Sequence, residues 1–427
     1  MFKAIRILFE KNNNITRSSY IWNCINAVMS ACQCPVIMMV ITRTNGVGDA
    51  GVFSIAFAVA SLMLYVGQYG IRKFQASDID EKFSFGEYHS MRVITCSVMV
   101  IVSLMYCIYG MVFNDYSKEK FIIVFLVCML KCIQAYADVI HGRMQQKGRL
   151  DIAAKVSAVR YAAEVAAYVI TLVITNDLLI STIACIVVSI AVLILTTLNV
   201  GRNYCSFKLR INWWKLKQLI LEGFPLFVSL FLNMYIGNAP KYAIDSYLTD
   251  EIQAVYNLVF MPAFMVGLLA NFIFNPILTS YARVWLDNQF KRFRKLIYKQ
   301  CAVILVITAA GLAVAFTIGI PLLSIVFGVD LHLYKAELCV IMVGGGMLAF
   351  ATFFSTVLTI IRMQNPLFVC YGVVAAAAKL ASGYMVQSYG IMGAAVMYTI
   401  LMTVLSIMLF IILIWKIRKE KDGIAVR

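Results

Sequence analysis

The side chains with the most chemical content stand inside long apolar runs. Lys131, Gln134 and Asp138 follow one another at steps of three and four residues. Arg160 and Glu164 are four apart in the next run. Lys241 and Asp245 repeat that spacing in the stretch NAPKYAID, beside Pro240, and Lys379 stands alone near the C-terminus. A charge at the centre of a bilayer costs at least about 2.5–3.5 kcal/mol on insertion scales, so such residues pair, reach water or serve a transport path. Opposite charges four apart on a helix can offset one another. A long side chain near a helix end can extend to the interface instead. That suits Asp138, which falls near the end of its run. For Lys241 and Asp245 two readings stand: a snorkelling pair, or a lysine facing a cavity and held by the aspartate. Basic residues in a cavity would hold an anion. Asp138, Glu164 and Asp245 are the candidates for a charge pair or for coupling to a proton or sodium gradient.

Amides form a second set. Asn23, Asn26 and Gln33 recur with Ser19 and Ser30 at helical steps, on one face. Asn257 and Asn271 fall near one face of a later run, and Asn238 opens NAPKYAID. So many amides are hard to satisfy by packing alone, which points to a wet cavity. The hydroxyls Thr352, Ser355, Thr356 and Thr359 read as helix-to-helix bonds. Substrate contacts are therefore expected from Lys241, Asn238, Asn23, Asn26, Gln33, Asn257, Asn271 and Arg160. Pro240, Pro225 and Gly345 are candidate hinges, because proline removes a helical hydrogen bond and glycine loosens the backbone.

The elements that carry these residues are membrane helices. Of 427 residues, 62% are hydrophobic and 14% charged, against roughly 25% charged in a soluble domain. Mean hydropathy is +0.84. About twenty apolar residues cross a bilayer core. Twelve runs qualify: 17–42, 50–70, 88–113, 120–142, 152–174, 178–199, 219–246, 253–279, 300–327, 336–361, 367–388 and 391–415. Alternate connections are basic, for example Arg143, Lys147, Arg149 and Lys155, or FKRFRK at Phe290–Lys295. The opposite set holds little beyond Arg43, Lys118, Lys120 and Lys335. Basic loops stay in the cytoplasm, so both termini are expected inside. The formal charge of +16 then orients the chain and touches anionic lipids. It does not call for nucleic acid.

AGVFSIAFAVASLMLYVG (Ala50–Gly67) resembles QAVYNLVFMPAFMVGLLA (Gln253–Ala270). Six spans repeated as six give two parallel lobes, 1–205 with spans one to six and 206–427 with spans seven to twelve and a basic tail. The expected fold is thus all-α and polytopic. Enzyme chemistry lacks a basis. There is no nucleotide-binding Walker sequence, and the histidines, His89, His141 and His332, lie in or beside loops on different faces, which gives no metal site. No cofactor is expected.

Twelve spans in two lobes, with GQYGIRKFQASDIDEKFSFGEYHSMR (Gly67–Arg92) and NAPKYAID, resemble the polysaccharide transporter branch of the MOP superfamily. These are Wzx-type flippases, relatives of the MATE exporters. The resemblance implies translocation of an undecaprenyl diphosphate-linked oligosaccharide repeat unit from the inner to the outer leaflet of the cell membrane. Alternating access of two lobes around a cationic cavity would move it. It also implies a polysaccharide polymerase or chain-length regulator as a partner. The alternative is a MATE-like, cation-coupled drug or metabolite antiporter, which would want a lone carboxylate in the cavity.

Overall fold

The computed structural model describes residues 9–10, 14–78, 81–274, 281, 283–285, 287–361 and 363–425. All regular structure there is helical. Among the described residues, ten helices are long and apolar enough to cross a membrane. One of them, running over 366–420, breaks at Gly390, whose φ of 56° and ψ of −135° are not helical. Together with the apolar helix Asp250–Phe274, the fold has about twelve membrane spans. The chain is a multi-pass membrane protein, and its outward surfaces agree with that. Leu305, Val306, Leu322 and Ile325 are all more than half exposed. Apolar patches of this extent face lipid or a partner rather than water.

By internal packing the chain divides into two units, Met1–Phe231 and Leu232–Arg427. The first unit holds α1 (Ile15–Thr44), α2 (Val47–Gln68), the short α3 (Ile71–Ser77), α4 (Phe85–Phe113) and α5 (Lys118–Gln146). It continues with α6 (Leu150–Thr175) and α7 (Leu178–Val192), which runs on through a π-helical turn, Leu193–Leu198. Each start has a local cause. Asn14, Ser117 and Asp177 cap α1, α5 and α7 by accepting the backbone N–H group three residues on. Ser84 and Glu87 form a reciprocal capping box on α4. Within the unit α1 packs on α6, α2 on α5, and α7 on α6.

The α3–α4 connection is strapped down by Asp78. Its carboxylate accepts from the backbone N–H groups of Lys82 (2.9 Å) and Phe83 (3.0 Å) and from the Tyr88 hydroxyl (3.0 Å). Glu81 pairs with Lys147 at 2.6 Å and Arg143 at 3.0 Å. Hydrogen bonds from Lys147 and then Arg143 hold its carboxyl below the usual range.

α8 (Trp213–Tyr247) contains both Pro225 and Pro240, and the boundary between the units falls inside it. The second unit continues with α9 (Asp250–Phe274), α10 (Phe290–Val314), α11 (Ile320–Phe327), α12 (Lys335–Ile360) and α13 (Gln364–Ala425). FKRFRK, expected as a loop, forms the first turns of α10. Its Phe293 is fully buried against Tyr281 and Trp285 while its four cations stay exposed. A helix can bury one side chain per turn and keep the rest in water, so the charge run alone did not exclude it.

Gly345 sits inside the uninterrupted α12. A Cβ there would lie 2.7 Å from the Ala263 carbonyl oxygen of α9. The missing side chain lets two backbones approach, as small residues do between membrane helices. Gly345→Val is expected to lower stability by on the order of 1–3 kcal/mol through overpacking. Thermal unfolding of the detergent-solubilised protein measures this, and an unchanged midpoint would remove the packing role.

Candidate functional site

Four helices of the first unit bring their polar residues to one buried place. Glu164 on α6 is 1% exposed and Arg160, one turn earlier, 2%. The Arg160 guanidinium donates to Glu164 Oε1 at 3.2 Å. Ser189 of α7 donates to the same oxygen at 2.6 Å. Gln33 of α1 donates from Nε2 to Glu164 Oε2 at 2.8 Å. The Lys131 ammonium of α5 donates to Gln33 Oε1 at 3.0 Å and to Gln134 Oε1 at 3.3 Å. Gln134 donates to the Tyr161 hydroxyl at 2.8 Å, and the Tyr161 ring faces the Arg160 guanidinium at 4.9 Å. The side chains thus close into a ring: Lys131, Gln33, Glu164, Arg160, Tyr161, Gln134 and back to Lys131.

The ring fixes its own hydrogen-bond sense. Turning the Gln33 amide over would set its NH2 against an ammonium and its oxygen against a carboxylate. Both contacts would be repulsive, so the drawn orientation is the stable one. The charges do not cancel. Lys131 and Arg160 are two cations, and Glu164 is the only carboxylate among the ring's members. Glu164 Oε1 is taken by Arg160 and Ser189, and Oε2 by Gln33. Lys131 therefore rests on two amide oxygens and, at 4.4 Å, on the face of Phe57. Such a buried, net-basic network can stabilise an anionic group or an oxygen-rich neutral one better than a cation.

Asp138, two turns along α5 from Lys131, belongs elsewhere. It does not snorkel. It is 6% exposed and accepts from Arg92 Nη2 at 2.9 Å and Arg72 Nη1 at 3.2 Å. Arg92 is fully buried and also donates to the Gly67 carbonyl. A carboxylate that meets two guanidiniums inside the protein has no need to reach water.

The remaining expected contacts are scattered. Asn23 and Asn26 are half-buried on α1, above Gln33 in sequence and outside the ring. Asn238 is half-buried and bonds within α8, from Nδ2 to the Met234 carbonyl at 3.1 Å. Lys241 is 9% exposed with its ammonium 4.7 Å from the Phe260 ring of α9. Asp245 is 6% exposed one turn on. Asn257 is 3% exposed, and its Nδ2 meets no hydrogen-bond partner among the described residues. One turn before it, Gln253 is fully buried with neither amide atom bonded there. Lys379 lies exposed on α13. The side chain of Asn271 lies outside the described residues.

Ring member Tyr161, and Ser189 and Phe57 that contact the ring, carry no site signal in the sequence. A serine in an apolar run has a bland default, seen in Thr182 and Ser181, which bond their own helix one turn back. Lys131 and Gln134 carried a signal, as embedded polar residues at helical spacing. What they contact across helices is a tertiary fact.

No protein-family model and no curated protein sequence matches the chain. Solved structures do. A MATE family multidrug resistance transporter of the MOP superfamily, in an inward-facing conformation, aligns with a TM-score of 0.69 at 11% identity, covering 94% of this chain and 99% of that one. A mutant of the Vibrio cholerae MATE transporter VcmN gives 0.66 at 10% identity, with 98% of each chain covered. A MOP superfamily transporter from Pyrococcus furiosus gives 0.56 at 12% identity over 95% of this chain and 96% of that one. The fold is that of MATE transporters, which are known in inward- and outward-facing conformations.

Proposed function

We propose that this chain is a flippase. It carries an undecaprenyl diphosphate-linked oligosaccharide from the inner to the outer leaflet of the cell membrane, by alternating access of its two lobes. The observation that carries this reading is the polarity of the buried ring, in which Lys131 and Arg160 face a single carboxylate, Glu164. A drug antiporter of cationic substrates wants the reverse, a carboxylate with no resident cation. The Pyrococcus furiosus neighbour is described as having a binding pocket of reversed polarity that suggests a different function, a precedent for such a change within this fold.

A diphosphate supplies about two negative charges. An inside-negative potential favours its outward movement by about 2.3 kcal/mol per charge per 100 mV. Basic side chains along the path neutralise the headgroup and hold it against water. The sugars need amides and aromatic faces, and in this reading Gln253, Asn257 and Phe260 of the second unit offer them. In this reading both termini are cytoplasmic, lipid-linked oligosaccharide and anionic lipids are the partners, and a polymerase takes the product.

The direct test is translocation of a defined lipid-linked oligosaccharide in proteoliposomes, with leaflet exposure read by a glycosidase. Wild type should translocate, and Lys241→Ala should reduce the rate at least tenfold with normal insertion. Full activity of Lys241→Ala sinks that lysine as a substrate contact. No translocation by wild type, together with proton-driven efflux of cationic drugs, would replace the flippase reading by the antiporter one.

A further inference from the structure

A cavity of about 470 Å³ opens in the first unit where α2 passes into α3. Tyr65, Gln68, Arg72, Asp138, Gln145 and Leu230 line it. It is separate from the ring. Asp138 and Lys131 are two turns apart on α5, about 10 Å along the axis. The α2–α3 turn is forced here, since Tyr69 and Gly70 both take left-handed backbone angles, φ 49° and 67°. Gly70 rests against Leu226, and Tyr69 stacks on Phe227 at 4.5 Å. The first half of α8 therefore closes one side of the cavity.

Its wall carries hydrogen-bonding capacity that the described residues do not use. Arg72 donates from Nε to Gln145 Oε1 at 3.2 Å and from Nη1 to Asp138 at 3.2 Å. Its Nη2 donates to no described residue, and a third of the side chain is exposed. The Gln68 amide and the Tyr65 hydroxyl also meet no described hydrogen-bond partner. Asp138 does not make the cavity acidic, because Arg92 neutralises it from the buried side at 2.9 Å. The cluster of Arg72, Arg92 and Asp138 keeps one excess positive charge, and the half that faces the cavity is Arg72.

We propose that this cavity binds a phosphate or diphosphate group, with Arg72 as the principal ligand and Gln68 and Tyr65 as supporting donors. A planar guanidinium with an open Nη edge presents charge-assisted donors to phosphate oxygens. An anion there meets the excess charge without breaking the Arg92–Asp138 pair. The apolar side chain of Leu230 gives the non-phosphate part of the ligand a dry wall. The cavity takes either a lipid headgroup or a soluble phosphate by the same chemistry.

Binding to the purified full chain in nanodiscs separates these cases. Two probes are used, inorganic diphosphate and a long-chain polyprenyl diphosphate. Arg72→Gln should weaken binding on the order of tenfold or more. Gln68→Glu, which sets a negative charge on the wall and leaves the Asp138 pairs intact, should do the same even if Arg72→Gln proves unstable. Lys82→Gln, at a surface lysine outside the cavity, should bind as wild type does. Binding of the lipid probe alone assigns a headgroup site, and binding of inorganic diphosphate alone a soluble anion. Either supports the proposal if both variants lose it. Wild type binding neither probe, or Gln68→Glu and a folded Arg72→Gln binding as wild type, overturns it. Translocation is not measured, so failure of the flippase reading would leave this site standing and its own failure would not touch that reading.

Discussion

Glu164→Leu is expected to destabilise the protein by about 3–5 kcal/mol, the cost of leaving a buried partner charge uncompensated. Arg160 is 2% exposed, and Glu164 is its only ion-pair partner among the described residues. The same change removes the acceptor of Gln33 and Ser189, and orphaned buried donors add to the loss. The ring geometry makes a second, sharper statement. Removing both charges, as in Arg160→Met with Glu164→Leu, should recover most of the loss, because an apolar pair avoids the desolvation of both ions. Unfolding of the two single variants and the double variant in mixed micelles gives the coupling energy. Additive losses would show that the two side chains do not act as a pair. Translocation should behave differently from stability. The double variant keeps Lys131 but loses the rest of the charge pattern, so recovered stability with lost transport would place the ring in function rather than in folding alone.

The spans were legible because an apolar run long enough to cross a bilayer has few other fates. Even the break between the last two was visible, with runs ending at 388 and starting again at 391, on either side of Gly390 and its left-handed φ of 56°. The pairing of Arg160 with Glu164 was legible for a local reason, since residues four apart on a helix are neighbours. What joins that pair to Gln33 and Lys131 was not. Those contacts join α6 to α1 and α1 to α5, and spacing along one helix is silent about its partners. Arg92 shows the limit most clearly. In the sequence it is a positive charge closing the stretch Gly67–Arg92, and sign is all that such a charge reveals. Its complete burial depends on α5 presenting Asp138 and the last turn of α2 presenting the Gly67 carbonyl, so that a carboxylate and a carbonyl meet one guanidinium.

That arrangement makes Asp138 the second position where a single change should be severe. A snorkelling aspartate near a helix end could be replaced with little consequence, as most exposed charges can. Asp138→Leu should instead cost about 3–5 kcal/mol, because it strands Arg92, which is fully buried and, among the described residues, keeps only the Gly67 carbonyl as an acceptor. Arg72 can relax toward the cavity, since a third of its side chain is already exposed. Its share of the loss should be small. Comparison with Arg72→Leu and Arg92→Leu resolves the two contributions. Asp138→Leu combined with Arg92→Leu should recover most of the stability, while Asp138→Leu combined with Arg72→Leu should not. Equal recovery by both combinations would contradict the division into one buried structural arginine and one that faces the cavity. Asp138→Leu that unfolds like wild type would return the residue to the surface role its position in the sequence first suggested.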